Sequence, residues 1–275
     1  MKKKRNKCIG VFDSGFGGIS TLRSIVKMLP EYDYIYLGDT ARTPYGTRSP
    51  EIVYEFTKQA VDFLFKNGCE FVILACNTAS SESLRRLQKE YMPKKYPGKK
   101  VLGVLIPAIE EAAVKTKNRR IGVMATEGTV RSKSFVKEAA KRNGLLKIYQ
   151  ESCPLLVPLV ESGEQNSKAA GLIVKKYVGN LKKKKIDTLI LGCTHYGILK
   201  NKIKKITGRN ISIVSDSDVV PKQLKQYLIR HPDIEAKIRK NRKVLFYSTD
   251  VTERFKTLGS KFFGKPIRVK KISLP

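Results

Sequence analysis

The 275-residue chain carries 55 Lys and Arg against 24 Asp and Glu, a formal net charge of +31, with 41% hydrophobic residues. That apolar share is enough to build cores and excludes wholesale disorder, and the length suits two domains of ordinary size. No apolar stretch approaches the roughly 20 residues of a membrane-spanning helix, and five cysteines without a Cys-x-x-Cys pattern indicate neither a zinc knuckle nor a redox pair.

The basic stretch MKKKRNK (1–7) leads into CIGVFDSG rather than into a signal-peptide apolar region, so a cytoplasmic protein with reduced thiols is expected. KCIGVFD then reads as a strand, GGISTLRSIVKMLP as a helix, YDYIYLGD as a strand and SPEIVYEFTKQAVDFLFKNG as a long helix. CEFVILAC is the next strand and ASSESLRRLQKEY the next helix. Short runs rich in Val, Ile and Tyr between amphipathic helices predict a mostly parallel sheet covered on both faces.

YMPKKYPGKK (91–100), with two prolines and a glycine, reads as a crossing between domains. After it VLGVLIPA, RRIGVMA, KIYQESC and KKIDTLILGC follow as strands, and ISIVSDSD (211–218) and KVLFYSTD (243–250) as strands that return to the first domain. The expected division is therefore 1–98 plus 211–275 for the first α/β domain and 99–210 for the second. IGVFDSGFGGIS (9–20) aligns with IGVMATEGTVRS (121–132) at an offset of 112, and LACNT with LGCTH at an offset of 117. Two matched pairs in the same order indicate an internal duplication. Two similar doubly wound, mostly parallel-sheet domains would turn their strand-end loops into one interdomain cleft, where such sheets bind ligands.

DSGFGGIS (13–20) lies between a strand and a helix, but it lacks the lysine of a P-loop and the spacing of a dinucleotide fingerprint. Asp13 suits an ammonium group better than a phosphate, and an N-capping acid is the plainer alternative. LGDTARTPYGTRSPE (37–51) is a polar loop in which Pro44, Tyr45 and Gly46 shape a turn and Ser49-Pro50 starts a helix. Cys76 and Cys193 end matching strands, and hydrogen-bonding side chains follow each of them at once. A strand-end cysteine is ordinarily a small core residue. Here His195, one of two histidines, stands two positions beyond Cys193 and could hold or exchange a proton with its thiol. Two thiols facing one pocket suit the removal of a proton from one face of a carbon and its return to the other.

VFDSGFGGIS, YLGDTARTPYGTRSPE, LACNTAS, CPLLVPLVESG and LGCTHY, in that order over most of the first 200 residues, resemble the cofactor-independent aspartate/glutamate racemase family, and within it the glutamate racemases. Gly197 stands where the family often has proline and Ala108 where glycine is common. The resemblance implies that Cys76 and Cys193 are the acid/base pair, with Asp13 serving Cys76, and His195 serving Cys193 with support from Glu151. It assigns the grip on the substrate to Asp13, Ser14, Tyr45, Gly46, Asn77, Thr78, Thr194 and His195. It also implies glutamate as the small-molecule substrate, D-glutamate for peptidoglycan as the product's use, and no cofactor and no metal. Racemisation of aspartate or another amino acid stays open, as does a two-lobed amino-acid-binding or polyanion-binding protein. The lysine excess reads as solvated surface with salt-sensitive binding of polyanions and no specific nucleic-acid partner. No membrane partner is expected, a homodimer is permitted, and His231 in RHPD is placed outside the site.

Overall fold

The structure, a computed structural model, describes residues 7–142 and 144–275, so of the basic stretch 1–7 only Lys7 is included. The ten strands among these residues are β1 Cys8–Asp13, β2 Tyr34–Gly38, β3 Cys69–Leu74, β4 Lys100–Gly103, β5 Arg120–Ala125, β6 Lys147–Ser152, β7 Thr188–Gly192, β8 Ser212–Ser215, β9 Val244–Ser248 and β10 Val269–Lys271. They form two parallel-sheet α/β domains, one with the order β10-β9-β2-β1-β3-β4 and one with β6-β5-β7-β8. Every pairing is parallel, so each sheet presents all its carboxyl ends on one edge.

β1, β2, β3 and β7 are buried along their whole length, which is why they read as continuous apolar runs without alternation. The helices that cover them bury one stripe. Pro50–Lys66 starts on Ser49, whose side chain accepts from the Ile52 N–H, with Pro50 at its first position. It sinks Val53, Tyr54, Thr57, Ala60, Val61 and Leu64 at spacings of three and four. Each large aliphatic side chain so buried contributes about 2 kcal/mol.

The duplication is visible in the sheets. The order β2-β1-β3-β4 is repeated as β6-β5-β7-β8. Phe12 lies beside Leu74, and their counterparts Met124 and Leu191 are likewise paired. Cys76 and Cys193 each follow two residues beyond, so they leave their sheets at equivalent heights.

Three assignments differ from the sequence expectation. In 101–108 only the first residues are strand, and β4 pairs with β3 in the six-stranded sheet rather than opening the second half. Leu105–Lys115 is helix, burying Leu105, Ala108, Ile109 and Ala112, a spacing that a short apolar run conceals. The segment 211–218 does not return to the first sheet: β8 pairs with β7, and helix begins at Asp216. The stretch 91–100 therefore leads back into its own sheet. The chain crosses between sheets through Leu105–Lys115 and Asp216–Arg230, two helices that pack on each other. β9 does return to the first sheet, and β10 was not anticipated.

Candidate active site

The carboxyl ends of β3, β5 and β7, with the turn after β1, meet around a cavity of about 90 Å³. Ser14, Tyr45, Gly46, Cys76, Asn77, Thr78, Cys193, Thr194 and His195 all line it, as the motifs led one to expect. Thr126 and Cys153 also line it and were not anticipated. Thr126 was readable in principle, because it occupies the duplicated position of Ser14.

Cys76 caps the Asn77–Arg86 helix, its Sγ accepting from the Ala79 N–H at 3.5 Å. The Ser14 hydroxyl lies 3.4 Å from the same sulfur. Ser14 is thus the side chain in hydrogen-bond contact with this thiol, whereas Asp13 was expected to serve it. Burial first, and then the Asp13 charge, push the Cys76 thiol up to about 12, against the opposing bonds from Ser14 and Ala79.

Asp13 is fully buried at the end of β1. Its Oδ2 accepts from the Gly15 N–H at 3.0 Å and its Oδ1 from the Thr194 hydroxyl at 3.3 Å. Burial raises its carboxyl above the ordinary range although His195 and these bonds act the other way.

The glycines of this turn serve close approach. A Cβ on Gly17 would fall 2.5 Å from Thr194 Oγ1 and 2.7 Å from His195 Nδ1, and one on Gly18 would fall 2.6 Å from Asp13 Cβ. Gly46 likewise lets its loop meet Thr126, whose Cβ would lie 2.7 Å from an added one.

On the other wall, Cys193 Sγ lies 3.7 Å from His195 Nδ1, and Nε2 of the same ring lies 3.1 Å from Glu161 Oε1. Burial alone would lower the imidazole, but the bonds and charges of Cys193 and Glu161 carry it up to about 10. Glu151, expected to support His195, instead accepts from Asn180 Nδ2 at 2.8 Å. The carboxylate at the ring is Glu161, which lies inside the CPLLVPLVESG stretch and ends the Leu156–Glu161 helix.

The remaining polar groups are partly committed. The Tyr45 hydroxyl donates to Asp39, so Tyr45 offers the cavity its ring and backbone. The Thr78 and Thr126 hydroxyls are 2.9 Å apart, and Asn77 Nδ2 donates to Asp216 at 2.6 Å. His231 lies outside the cavity, stacked on Tyr227 with ring centroids 4.2 Å apart. Among the described residues no group of three His, Cys, Asp or Glu side chains is placed to hold a metal ion.

Two parallel-sheet domains that each deliver a strand-end thiol to one cavity define a class of protein, and known sequences fall in it. The chain belongs to the Asp/Glu/Hydantoin racemase family, whose model matches residues 9–216. It is 39% identical to the glutamate racemase of Persephonella marina over 97% of each chain. A glutamate racemase isoform from Bacillus anthracis superposes with a TM-score of 0.90 at 33% identity, covering 98% of this chain and 99% of that one. The Francisella tularensis glutamate racemase, solved with D-glutamate, gives 0.86 at 31% identity and 98% coverage of both.

Proposed function

We propose that this protein interconverts L- and D-glutamate by two-base proton transfer between Cys76 and Cys193, without a cofactor. The observation that carries this reading is the arrival of two thiols, from equivalent positions of two sheets, in one cavity beside different polar partners. L-Glutamate gives its α-proton to a Cys193 thiolate, the electron pair passes to the α-carbon and its carboxylate, and the Cys76 thiol returns a proton to the opposite face. The reverse reaction runs the same steps backwards, so no proton or electron is gained or lost over the cycle.

A protonated His195, held between Cys193 and Glu161, is the counter-charge available to a Cys193 thiolate. The substrate ammonium belongs beside Asp13, where its charge offsets the carboxylate that otherwise opposes loss of the Cys76 proton. The Thr78 hydroxyl and the first N–H groups of the Asn77–Arg86 helix are neutral donors. Their bonds to the substrate carboxylate strengthen as charge builds in the transition state. The D-glutamate formed would supply peptidoglycan synthesis.

Incubation of dialysed protein with each glutamate enantiomer in deuterated water tests the reading. Deuterium should enter the α-position of both enantiomers as optical rotation decays. Exchange with aspartate in place of glutamate would move the assignment to another substrate, and no exchange with either would end it.

A further inference from the structure

Asp216 opens the Asp216–Arg230 helix at the carboxyl end of β8 and is 4% exposed. Its side-chain hydrogen bond is to Asn77 Nδ2 at 2.6 Å, the length of a charge-assisted contact. The bond spans the two sheets, since Asn77 follows β3 and Asp216 follows β8. Asn77 stands directly after Cys76 on the cavity wall, and its Oδ1 is buried without a partner among the described residues.

A carboxylate only accepts, so it admits one of the two orientations of a facing carboxamide: nitrogen towards it, oxygen away. A buried carboxylate is costly to keep unless such a bond repays the lost hydration. From this geometry we infer that Asp216 is a positioning residue, which fixes the Asn77 carboxamide so that its oxygen and its second N–H take defined places beside Cys76. The kinetic consequence rests on the racemase reading: a wandering Asn77 amide would leave the α-substituents loosely held, and the α-hydrogen out of line with the thiols.

Asp216→Asn is nearly isosteric but offers both an oxygen and an N–H, so either orientation of Asn77 becomes acceptable. The geometry is tested without substrate by the side-chain amide signals of Asn77 in protein labelled with nitrogen-15 asparagine. Absence from Asn77→Ala assigns them. One Asn77 proton should be shifted downfield and protected from exchange, and Asp216→Asn should remove both properties. Asn77 signals unchanged by Asp216→Asn overturn the inference, whatever reaction the protein catalyses.

The kinetic arm uses glutamate turnover. Asp216→Asn should lower kcat/KM about tenfold to a hundredfold, the range for a bond to a charged group. Combined with Asn77→Ala, it should cost nothing beyond Asn77→Ala alone. Multiplying losses in the double variant would show Asp216 acting independently of Asn77 and overturn its positioning role. Asp216→Ser, smaller and uncharged, gives the same comparisons if the amide variant does not accumulate. A wild-type protein unable to exchange the α-hydrogen of glutamate would count against the racemase reading alone, and the amide signals would still decide the geometry.

Discussion

His195 touches Cys193 through one ring nitrogen and Glu161 through the other, and both contacts favour its charged form. Its folded pKa of about 10 stands above the ordinary 6.5. The stability this contributes is therefore complete below about pH 6.5 and lost as pH rises through about 10. Calorimetry should show the Tm of the wild type falling between pH 7 and 10, and falling less in Glu161→Gln. Asp216 runs in the same direction for a different reason. Burial pushes it up to about 7, so above that pH the fold carries a confined charge. Asp216→Asn should stabilise the fold at pH 8 by on the order of 4 kcal/mol, and so raise the Tm, while turnover falls. An unchanged or lower Tm would show that the charge is better compensated than its surroundings indicate. For the thiols, serine holds its proton too tightly to act as a base, so Cys76→Ser and Cys193→Ser should each cost about 10²–10⁴-fold in racemisation. Each variant keeps one competent thiol. With a substrate bearing a leaving group at the β-carbon, Cys76→Ser should eliminate only from the L-form and Cys193→Ser only from the D-form. Equal processing of both enantiomers by either variant contradicts the two-face mechanism.

The turn after β1 is the element that closes the site, because Gly17 lets the chain run against Thr194 and His195. A methyl group there has no room. Gly17→Ala should cost about 1–3 kcal/mol of stability and depress kcat by displacing His195, with the circular-dichroism spectrum unchanged. Wild-type kcat in that variant would show that the turn yields freely. The same element shows what was legible beforehand. β1, β3 and β7 were readable because both faces are covered, and the polar residues at their ends stood out against the apolar run. β4 and β8 were recognisable as strands, but a strand's composition does not say which sheet it will join. Their placement follows from pairing with β3 and β7, a long-range fact. β10 is short and partly exposed, with two lysines in three residues, and looked like surface. The resemblance points to Glu151, just ahead of the CPLLVPLVESG stretch, whereas the fold brings Glu161, inside that stretch, to His195 and leaves Glu151 with Asn180. Asp216 gave no signal, since an acid in the first turn of a helix is ordinarily a dipole partner.

Across the whole molecule, the two domains meet through more than the cavity. Arg85 forms a two-pronged ion pair with Glu138, at 3.0 and 2.6 Å, and the Ser134 hydroxyl donates to the Ser81 carbonyl at 2.8 Å. These contacts join the Asn77–Arg86 and Ser134–Arg142 helices outside the cavity lining. Separation of these two helices to admit a ligand would break both contacts. Cysteines at Ser81 and Ser134 should oxidise to a bridge that slows turnover at least tenfold and is reversed by dithiothreitol. Full activity in the oxidised form would mean that substrate enters without separation of these helices. The charge of +31 lies away from the cavity, which no lysine or arginine lines among the described residues. Even Glu70, buried between strands, is approached by Lys7, Lys99 and Lys237, a sign of how few acids there are to share.

The equivalent heights of Cys76 and Cys193 carry a consequence for handedness. Two copies of a chain built from L-residues can be brought into coincidence only by rotation and translation, never by reflection. The two enantiomers of an amino acid are related by reflection alone. A flattened α-carbon with three different substituents therefore cannot meet identical surroundings on its two sides, however well the halves repeat. Asp13 faces no acid in the other copy, where Ala125 occupies its position, and His195 answers to Thr78. Those mismatches are what an achiral outcome demands of chiral parts. A protein with two truly identical halves would hold its substrate less well than one whose copies had drifted apart.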